Sequence, residues 1–247
     1  MTALPNTPQF SQLMQPWLSG LGIDFDFACL AKFDELGEAM LADPLYPSVS
    51  KIFAVEEIAQ KHFVDSVAPV GLECFKGEQK IFDLGTGGGF PAVPLAIVFP
   101  QSSVTGIDSR AKSADFVKRM ADKLGLKNLT SKHARIEEIG HDTAFREQAD
   151  LVVCRALSAV RTLLEYALPL VKPGGYALFY KGPRLDEELA DAANALNVMG
   201  VNAADMKFSS IKPPLLPFER GFLLIKKRVA TPARYPRKNG VPASNPL

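Results

Sequence analysis

A glycine-rich segment at the end of the first third of the chain is the feature best suited to chemistry. It reads Asp83-Leu84-Gly85-Thr86-Gly87-Gly88-Gly89-Phe90 and overlaps the short apolar run KIFDL. Glycines at this spacing let the backbone approach a bound ligand closely. A dinucleotide fingerprint needs a third glycine where Phe90 stands, and a phosphate-binding P-loop needs a Gly-Lys-Ser/Thr ending that is absent. The segment indicates a different small-molecule site, with a purely structural glycine turn as the alternative.

The spacing acid-x-Gly-x-Gly-x-Gly resembles the first motif of class I S-adenosylmethionine methyltransferases, and Asp83, Gly85, Gly87 and Gly89 meet it. The resemblance implies S-adenosyl-L-methionine as cofactor. This cofactor carries no phosphate, so its amino-acid part needs close backbone contact and a nearby carboxylate.

Acidic and apolar residues that follow the next two predicted strands extend this site. Asp108 ends the strand SVTGID, where an acid can accept hydrogen bonds from both ribose hydroxyls. A helix N-cap is the alternative role for this residue. Ile136 and Glu137 follow the third strand, where we expect apolar side chains to enclose an adenine.

The end of the fourth predicted strand, Cys154-Arg155-Ala156-Leu157, bears on the methyl acceptor. The Asp/Asn-Pro-Pro-Tyr/Phe signature of amine methyltransferases is absent there. Cys154 lacks the preceding proline of cytosine-C5 enzymes, so we expect a buried strand residue. No His/Asp pair offers an obvious base. An acceptor with a free lone pair, such as guanine N7, needs only positioning in line with the sulfonium.

The elements that must hold these residues alternate between strand and helix from residue 79 onward. This alternation predicts an α/β doubly wound sheet, with single helices over LDEELADAANAL and over VRTLLEYALPLV up to Pro173. The first 70 residues favour helices, including one over VEEIAQKHFVDSV whose apolar face carries His62. We expect a hydrogen-bonded, structural histidine there. The predicted divisions are an N-terminal helical extension (1–70), a cofactor-binding methyltransferase domain (71–230) and a basic C-terminal segment (231–247).

Composition places the chain among globular proteins, with 247 residues, 47% of them hydrophobic and 22% charged. Its cysteines, Cys29, Cys74 and Cys154, are too widely spaced for a zinc site or a disulfide framework, which favours a reducing compartment. We find neither a signal-peptide pattern nor an apolar run of about 18 residues. The sequence therefore predicts a cytoplasmic protein without membrane association or bound metal.

The formal net charge is only +1, but it is unevenly distributed. Residues 205–247 hold nine Lys and Arg against two acidic residues, and the last 22 residues hold six positive charges and no acid. A basic terminal segment favours a polyanionic partner, with a solvated tail as the alternative. Arg234, Arg237 and Lys238 lie among several prolines and Gly240, so we expect an extended strip that presents cations to RNA phosphates.

With these residues in view, the chain resembles the bacterial 16S ribosomal RNA guanine-N7 methyltransferases, the glucose-inhibited division protein B family. The resemblance implies a class I methyltransferase (Rossmann-like) fold and an rRNA-modifying enzyme that binds the small ribosomal subunit, as a monomer. The matching stretches are KHFVDSVAPV (61–70), FDLGTGGGFPAVPLAI (82–97), DSRAKSADFVKRMADKLGLKNL (108–129), CRALSAVRTLLEYALPLVKPGG (154–175), YKG (180–182) and TPARYPRKNGVPASNPL (231–247).

The resemblance also assigns roles to particular residues. The family's cofactor-binding positions fall on Gly85, Phe90, Ile136, Glu137 and Arg155. Arg155 ends a central strand and so requires a partner. With Arg155, the candidate catalytic residues are Lys112 and Lys181, for which solvated surface charge is the alternative.

Other activities stay open from the sequence. The chain departs from the family at Ser113 and at Ser244-Asn245, where basic residues are expected on surfaces that face RNA. The enzyme alternatives are class I methyltransferases acting on another RNA, a protein or a small molecule. A non-enzymatic alternative is an RNA-binding assembly protein that holds the cofactor without turnover. Phe90 disfavours an NAD-dependent oxidoreductase.

Overall fold

The computed structural model describes residues 9–212 and 218–247, and a seven-stranded sheet forms the centre of this part of the chain. The sheet order is β3-β2-β1-β4-β5-β7-β6, with β1 to β5 parallel and β7 antiparallel to both of its neighbours. The strand order reverses between β1 and β4, so a crevice opens there at the carboxyl ends of the strands. The α/β doubly wound sheet predicted from the sequence is confirmed. The strands are β1 (Lys80–Leu84), β2 (Ser103–Asp108), β3 (Leu129–His133), β4 (Ala149–Arg155), β5 (Val171–Lys181), β6 (Met206–Ile211) and β7 (Arg220–Lys226).

Helices precede the sheet and cover both of its faces. No helix within residues 9–212 and 218–247 is long and apolar enough to cross a membrane. The helices are α1 (Phe10–Gly20), α2 (Phe27–Leu41), α3 (Tyr46–Val49), α4 (Val55–Glu57), a π-helical segment (Ile58–Val64), α5 (Asp65–Val67), α6 (Ala92–Val98), α7 (Ala111–Leu124), α8 (Ile136–Ile139), α9 (Val160–Ala167), α10 (Leu185–Ala190), α11 (Ala193–Val198), a 3-10 turn (Ala203–Asp205) and α12 (Val241–Ser244).

Side chains along each strand alternate between the two faces of the sheet, so they form two separate apolar layers. On one face, Ile81 and Leu178 share a buried cluster with α6, α7 and the N-terminal helices α1 and α2. On the other face, Phe82 and Phe179 pack with α8, α9 and Tyr235 of the C-terminal segment. The N-terminal helices and the C-terminal segment therefore complete the two layers that flank the sheet.

Three predicted helices differ from the observed ones. VEEIAQKHFVDSV is helical throughout, but its centre takes the π form, and LDEELADAANAL divides into α10 and α11. The helix predicted up to Pro173 ends at Ala167, and β5 begins at Val171. Pro169 explains this early end, because a proline has no amide to donate and clashes with the preceding turn of a helix. Lys227 Nζ then donates to the carbonyls of Leu168 and Val171, each at 2.7 Å.

Candidate active site

The glycine segment forms a tight loop between β1 and α6. The amides of Gly85 and Thr86 both donate to the carbonyl of Ile107 on the neighbouring strand, at 2.8 and 3.1 Å. Gly85, Gly87 and Gly89 have φ angles of +69°, +56° and +87°, a region in which other residues are strained. A Cβ at Gly87 would lie 3.8 Å from Nη2 of Arg110, an ordinary contact distance, so this position tolerates a side chain without a clash.

Asp83 lies beneath the loop and is fully buried. Its Oδ2 accepts a hydrogen bond from the amide of Ala92 at 3.1 Å, whereas Oδ1 and the Thr86 hydroxyl have no partner within the described ranges. Burial raises the pKa of Asp83 to about 6. The neighbouring Thr86 side chain lowers this pKa against the effect of burial, so the loop itself places a polar group beside the carboxyl.

Asp108 connects the end of β2 to the glycine loop. Its Oδ2 accepts from the amide of Gly87 at 2.9 Å, and its Oδ1 accepts from the amide of Arg110 at 2.8 Å. Arg110 itself is the N-cap of α7, so Asp108 does not have the N-cap role considered from the sequence. A carboxylate offers about four lone-pair sites, so Asp108 can accept about two further hydrogen bonds.

A cavity of about 360 Å³ opens beside this loop at the carboxyl ends of the strands. It brings together four of the residues predicted to bind cofactor: Gly85, Asp108, Ile136 and Glu137. Ile136 and Glu137 begin α8, whose first amides have no partners within the helix. The remaining lining residues are Ser109, Arg110, Arg135, Ala156, Leu157 and Tyr166.

Phe90, a further predicted cofactor residue, points its ring into the core of the N-terminal helices. It stacks on His62 with 4.3 Å between ring centroids and an interplanar angle of 7°. His62 is buried, and its Nε2 lies 3.0 Å from the Ser50 hydroxyl. Burial, together with the positive charge of Arg155, lowers the pKa of His62 to about 3. The imidazole is therefore neutral at physiological pH.

Arg155 is held by an acid that the sequence reasoning missed. Its Nη1 donates to Asp65 Oδ2 at 2.9 Å and to the carbonyl of Lys61 at 2.9 Å. Arg220 binds the same carboxylate through Nε and Nη2, at 2.6 and 2.9 Å. Asp65 is 1% exposed, so an Arg155–Asp65–Arg220 triad around a buried carboxylate joins α5, β4 and β7. The only signal in the sequence was the need of a strand-end arginine for an acidic partner.

The two lysines proposed as catalytic lie in different environments. Lys181 is buried, and its Nζ contacts Glu188 Oε2 at 2.5 Å and the carbonyl of Ser158 at 2.9 Å. Lys112 is exposed on the first turn of α7. Ser113, expected on an RNA-facing surface, is buried instead.

The structure also separates the three basic residues of the C-terminal segment. Arg237 makes a bidentate contact with the buried Glu165, with Nε at 2.9 Å from Oε1 and Nη2 at 2.6 Å from Oε2. Arg234 and Lys238 are exposed. Arg237 therefore points inward and holds the segment to α9, whereas Arg234 and Lys238 are presented to solvent.

Comparison with known proteins identifies the family to which these features belong. A family model described as rRNA small subunit methyltransferase G (GidB) matches residues 48–216. The chain is 38% identical over 200 residues to the ribosomal RNA small subunit methyltransferase G of Alkaliphilus metalliredigens (strain QYMF), with 81% of this chain and 83% of that protein covered. It is 34% identical over 239 residues to the protein of the same name from Alkaliphilus oremlandii (strain OhILAs), with 97% and 99% covered.

Solved structures of low sequence identity agree in fold. A putative S-adenosyl-L-methionine-dependent methyltransferase from Methanococcus maripaludis gives a TM-score of 0.52 at 14% identity, covering 80% of this chain and 94% of that one. An S-adenosylmethionine-dependent O-methyltransferase from Thermotoga maritima gives 0.52 at 16% identity, covering 68% and 66%. The sheet is thus that of a class I methyltransferase, and the match over residues 48–216 together with the near full-length relatives shows that this chain belongs to the rRNA small subunit methyltransferase G family.

Proposed function

We propose that the protein transfers a methyl group from S-adenosyl-L-methionine to N7 of a guanine in 16S ribosomal RNA of the small subunit. The observation that carries this proposal is the cavity at the carboxyl ends of the strands, lined by Gly85 of the glycine loop, Asp108 and the start of α8, in a chain of this family. We further propose that the enzyme acts in the cytoplasm as a monomer and without a metal ion.

The residues around the cavity fit this cofactor. Gly85 brings the backbone of the loop to the cavity, and the buried carboxyl of Asp83 lies beneath the loop. Asp108 can accept the ribose hydroxyls, while Ile136 and Leu157 offer apolar side chains to the adenine. When bound, the cofactor supplies an electrophilic methyl group on a sulfonium.

The protein groups near the cavity favour positioning over proton transfer. Cys154 is buried, and burial raises the pKa of its thiol well above the usual range, so a thiolate nucleophile is disfavoured. His62 is neutral, but its low pKa makes it a weak base. Guanine N7 carries a free lone pair and needs no deprotonation, so alignment of donor and acceptor accounts for the acceleration.

The exposed cations suggest where RNA lies. Lys112 is exposed at the start of α7, close in sequence to the cavity residues Asp108 and Arg110. Arg234 and Lys238 are exposed on the C-terminal segment, near Glu137 and Glu138 of α8. We propose that these three cations contact phosphates, whereas Arg155, Lys181 and Arg237 act through their internal ion pairs.

The deciding experiment supplies methyl-labelled S-adenosylmethionine and small subunits isolated from cells that lack this methylation. We expect label in the 16S RNA, and mapping of the base should place it on N7 of a guanine. Label in protein, in another RNA or at another atom would show that the methyl acceptor is not guanine N7 of 16S RNA. A protein that binds cofactor but never transfers label would be an assembly factor.

A further inference from the structure

The C-terminal segment, residues 231–247, lies directly against the short helix that borders the cofactor cavity. The amide of Gly240 donates to Glu137 Oε1 at 2.8 Å, and Asn239 Nδ2 donates to Glu138 Oε1 at 2.7 Å. His141 Nε2 lies 2.6 Å from the carbonyl of Pro236. Helix α8 has only four residues, so contacts outside the helix must fix its position.

The segment is itself firmly anchored at two points. The first is the bidentate contact of Arg237 with Glu165, a carboxylate that is fully buried on α9. The second is Arg146, which donates to the carbonyls of Gly140 at 2.7 Å and Tyr235 at 2.8 Å. One guanidinium therefore ties the residue after α8 to the C-terminal segment.

Glu137 joins the segment to the cavity. It is 5% exposed and lines the cavity together with Tyr166, whose hydroxyl lies 3.4 Å from the same Oε1 that accepts from Gly240. A loss of the Gly240 contact would leave a buried carboxylate short of a donor, and the start of α8 would shift or take up water. Glu137, which lines the cavity, thus depends on the segment for a hydrogen-bond donor.

We infer that segment 231–247 is part of the cofactor site: it positions α8, and cofactor binding and docking of the segment strengthen each other. The inference rests on the proposed function, because its ligand is S-adenosylmethionine. Coupling of this kind is reciprocal, so a ligand that prefers the docked segment must also stabilise docking.

Binding of S-adenosylhomocysteine, measured by calorimetry, tests the first half of this coupling. Arg237→Ala removes the anchor, and we expect the dissociation constant to rise about 5-fold to 150-fold, the usual range for coupled sites. Arg228→Ala is the matched control. It also breaks an arginine–carboxylate contact of 2.6 Å, with Asp205 beside β6, away from the cavity, so it should leave the affinity unchanged.

Hydrogen exchange of the unmutated protein tests the other half and does not depend on any variant folding. The amides of Arg237 and Gly240 each donate to a buried carboxylate. Saturating S-adenosylhomocysteine should slow exchange at both amides and leave α2 unaffected. Unchanged exchange at both, or a folded Arg237→Ala protein with full affinity, would overturn the coupling alone. An unmutated protein that binds no S-adenosylhomocysteine would overturn the proposed function as well.

Discussion

At Gly87, the effect of an added side chain on cofactor binding can be distinguished from the effect of the backbone strain that it causes. A Cβ there would lie 3.8 Å from Nη2 of Arg110, a residue that lines the cavity, whereas at Gly85 a Cβ would lie 2.6 Å from Leu157 and at Gly89 2.7 Å from Val93. We expect Gly87→Val to fold with a strain of about 1–2 kcal/mol and to lose S-adenosylhomocysteine binding measured by calorimetry. Gly125→Val is the control, since Gly125 has φ +67° and no atom near its Cβ position. Full affinity in a folded Gly87→Val protein would show that the cofactor lies elsewhere.

The pH dependence of the chemical step tests whether methyl transfer needs a base, for which His62 is the first candidate. With its pKa held near 3, it does not change charge between mildly acidic and mildly basic pH. Asp83, whose pKa is about 6, is largely ionised above about pH 7. Because guanine N7 needs no deprotonation, the single-turnover rate of methyl transfer should be nearly flat above this pH, without the bell shape that an essential acid and base impose. Rates that rise about tenfold per pH unit across neutrality would indicate a required deprotonation and weaken the N7 assignment.

The same histidine should contribute to acid sensitivity of the fold. Its pKa is about 3 in the folded chain against the ordinary histidine value of 6.5 in the unfolded chain, so the unfolded chain binds the extra proton between these pH values. Stability from this group is complete above about pH 6.5 and falls as the pH drops towards 3. Between about pH 6.5 and 4.5 we expect the unmutated protein to lose roughly 2 kcal/mol more than His62→Gln in urea unfolding. Equal losses would mean that His62 is protonated in the folded state.

At the scale of elements, the Arg155–Asp65–Arg220 triad joins the N-terminal helices to two strands of the sheet. Asp65→Ala would leave two arginines without their shared carboxylate, which we expect to cost about 3–5 kcal/mol of unfolding free energy. Glu73→Ala is a matched control because its contact with Lys207 lies on the surface, where solvent screens the ion pair and its contribution to stability is small. Denaturant unfolding of both variants measures the difference. Similar losses in the two would show that the triad adds no more than a surface pair.

At the scale of the whole molecule, some basic side chains form internal ion pairs and others face the solvent. Arg234 and Lys238 are exposed, whereas Arg237 is held by Glu165. We expect Arg234→Ala with Lys238→Ala to lower the salt dependence of RNA binding by up to about two phosphate contacts and to leave S-adenosylhomocysteine affinity unchanged. Filter binding across a salt series measures this slope. An unaltered slope would mean that Arg234 and Lys238 do not contact RNA phosphates.

The sequence by itself determined the α/β class, the glycine loop and the family. Asp83, the three glycines and Asp108 follow from local spacing, because the carboxyl ends of neighbouring parallel strands meet at one edge of the sheet. Glycines in the left-handed region likewise reflect a local backbone requirement. Such features depend on residues close in the chain, so the sequence can specify them.

Only the tertiary structure decided which charges are internal. Asp65 reaches Arg155 across 90 residues and Arg220 across 155, and Glu165 reaches Arg237 across 72. A charged side chain in the sequence is compatible with either solvent or a buried partner. The choice depends on which distant elements pack together, because burial is tolerated only where an opposite charge is brought within hydrogen-bonding distance. For the same reason the sequence placed Arg237 among the RNA contacts, while the fold directs its guanidinium to α9.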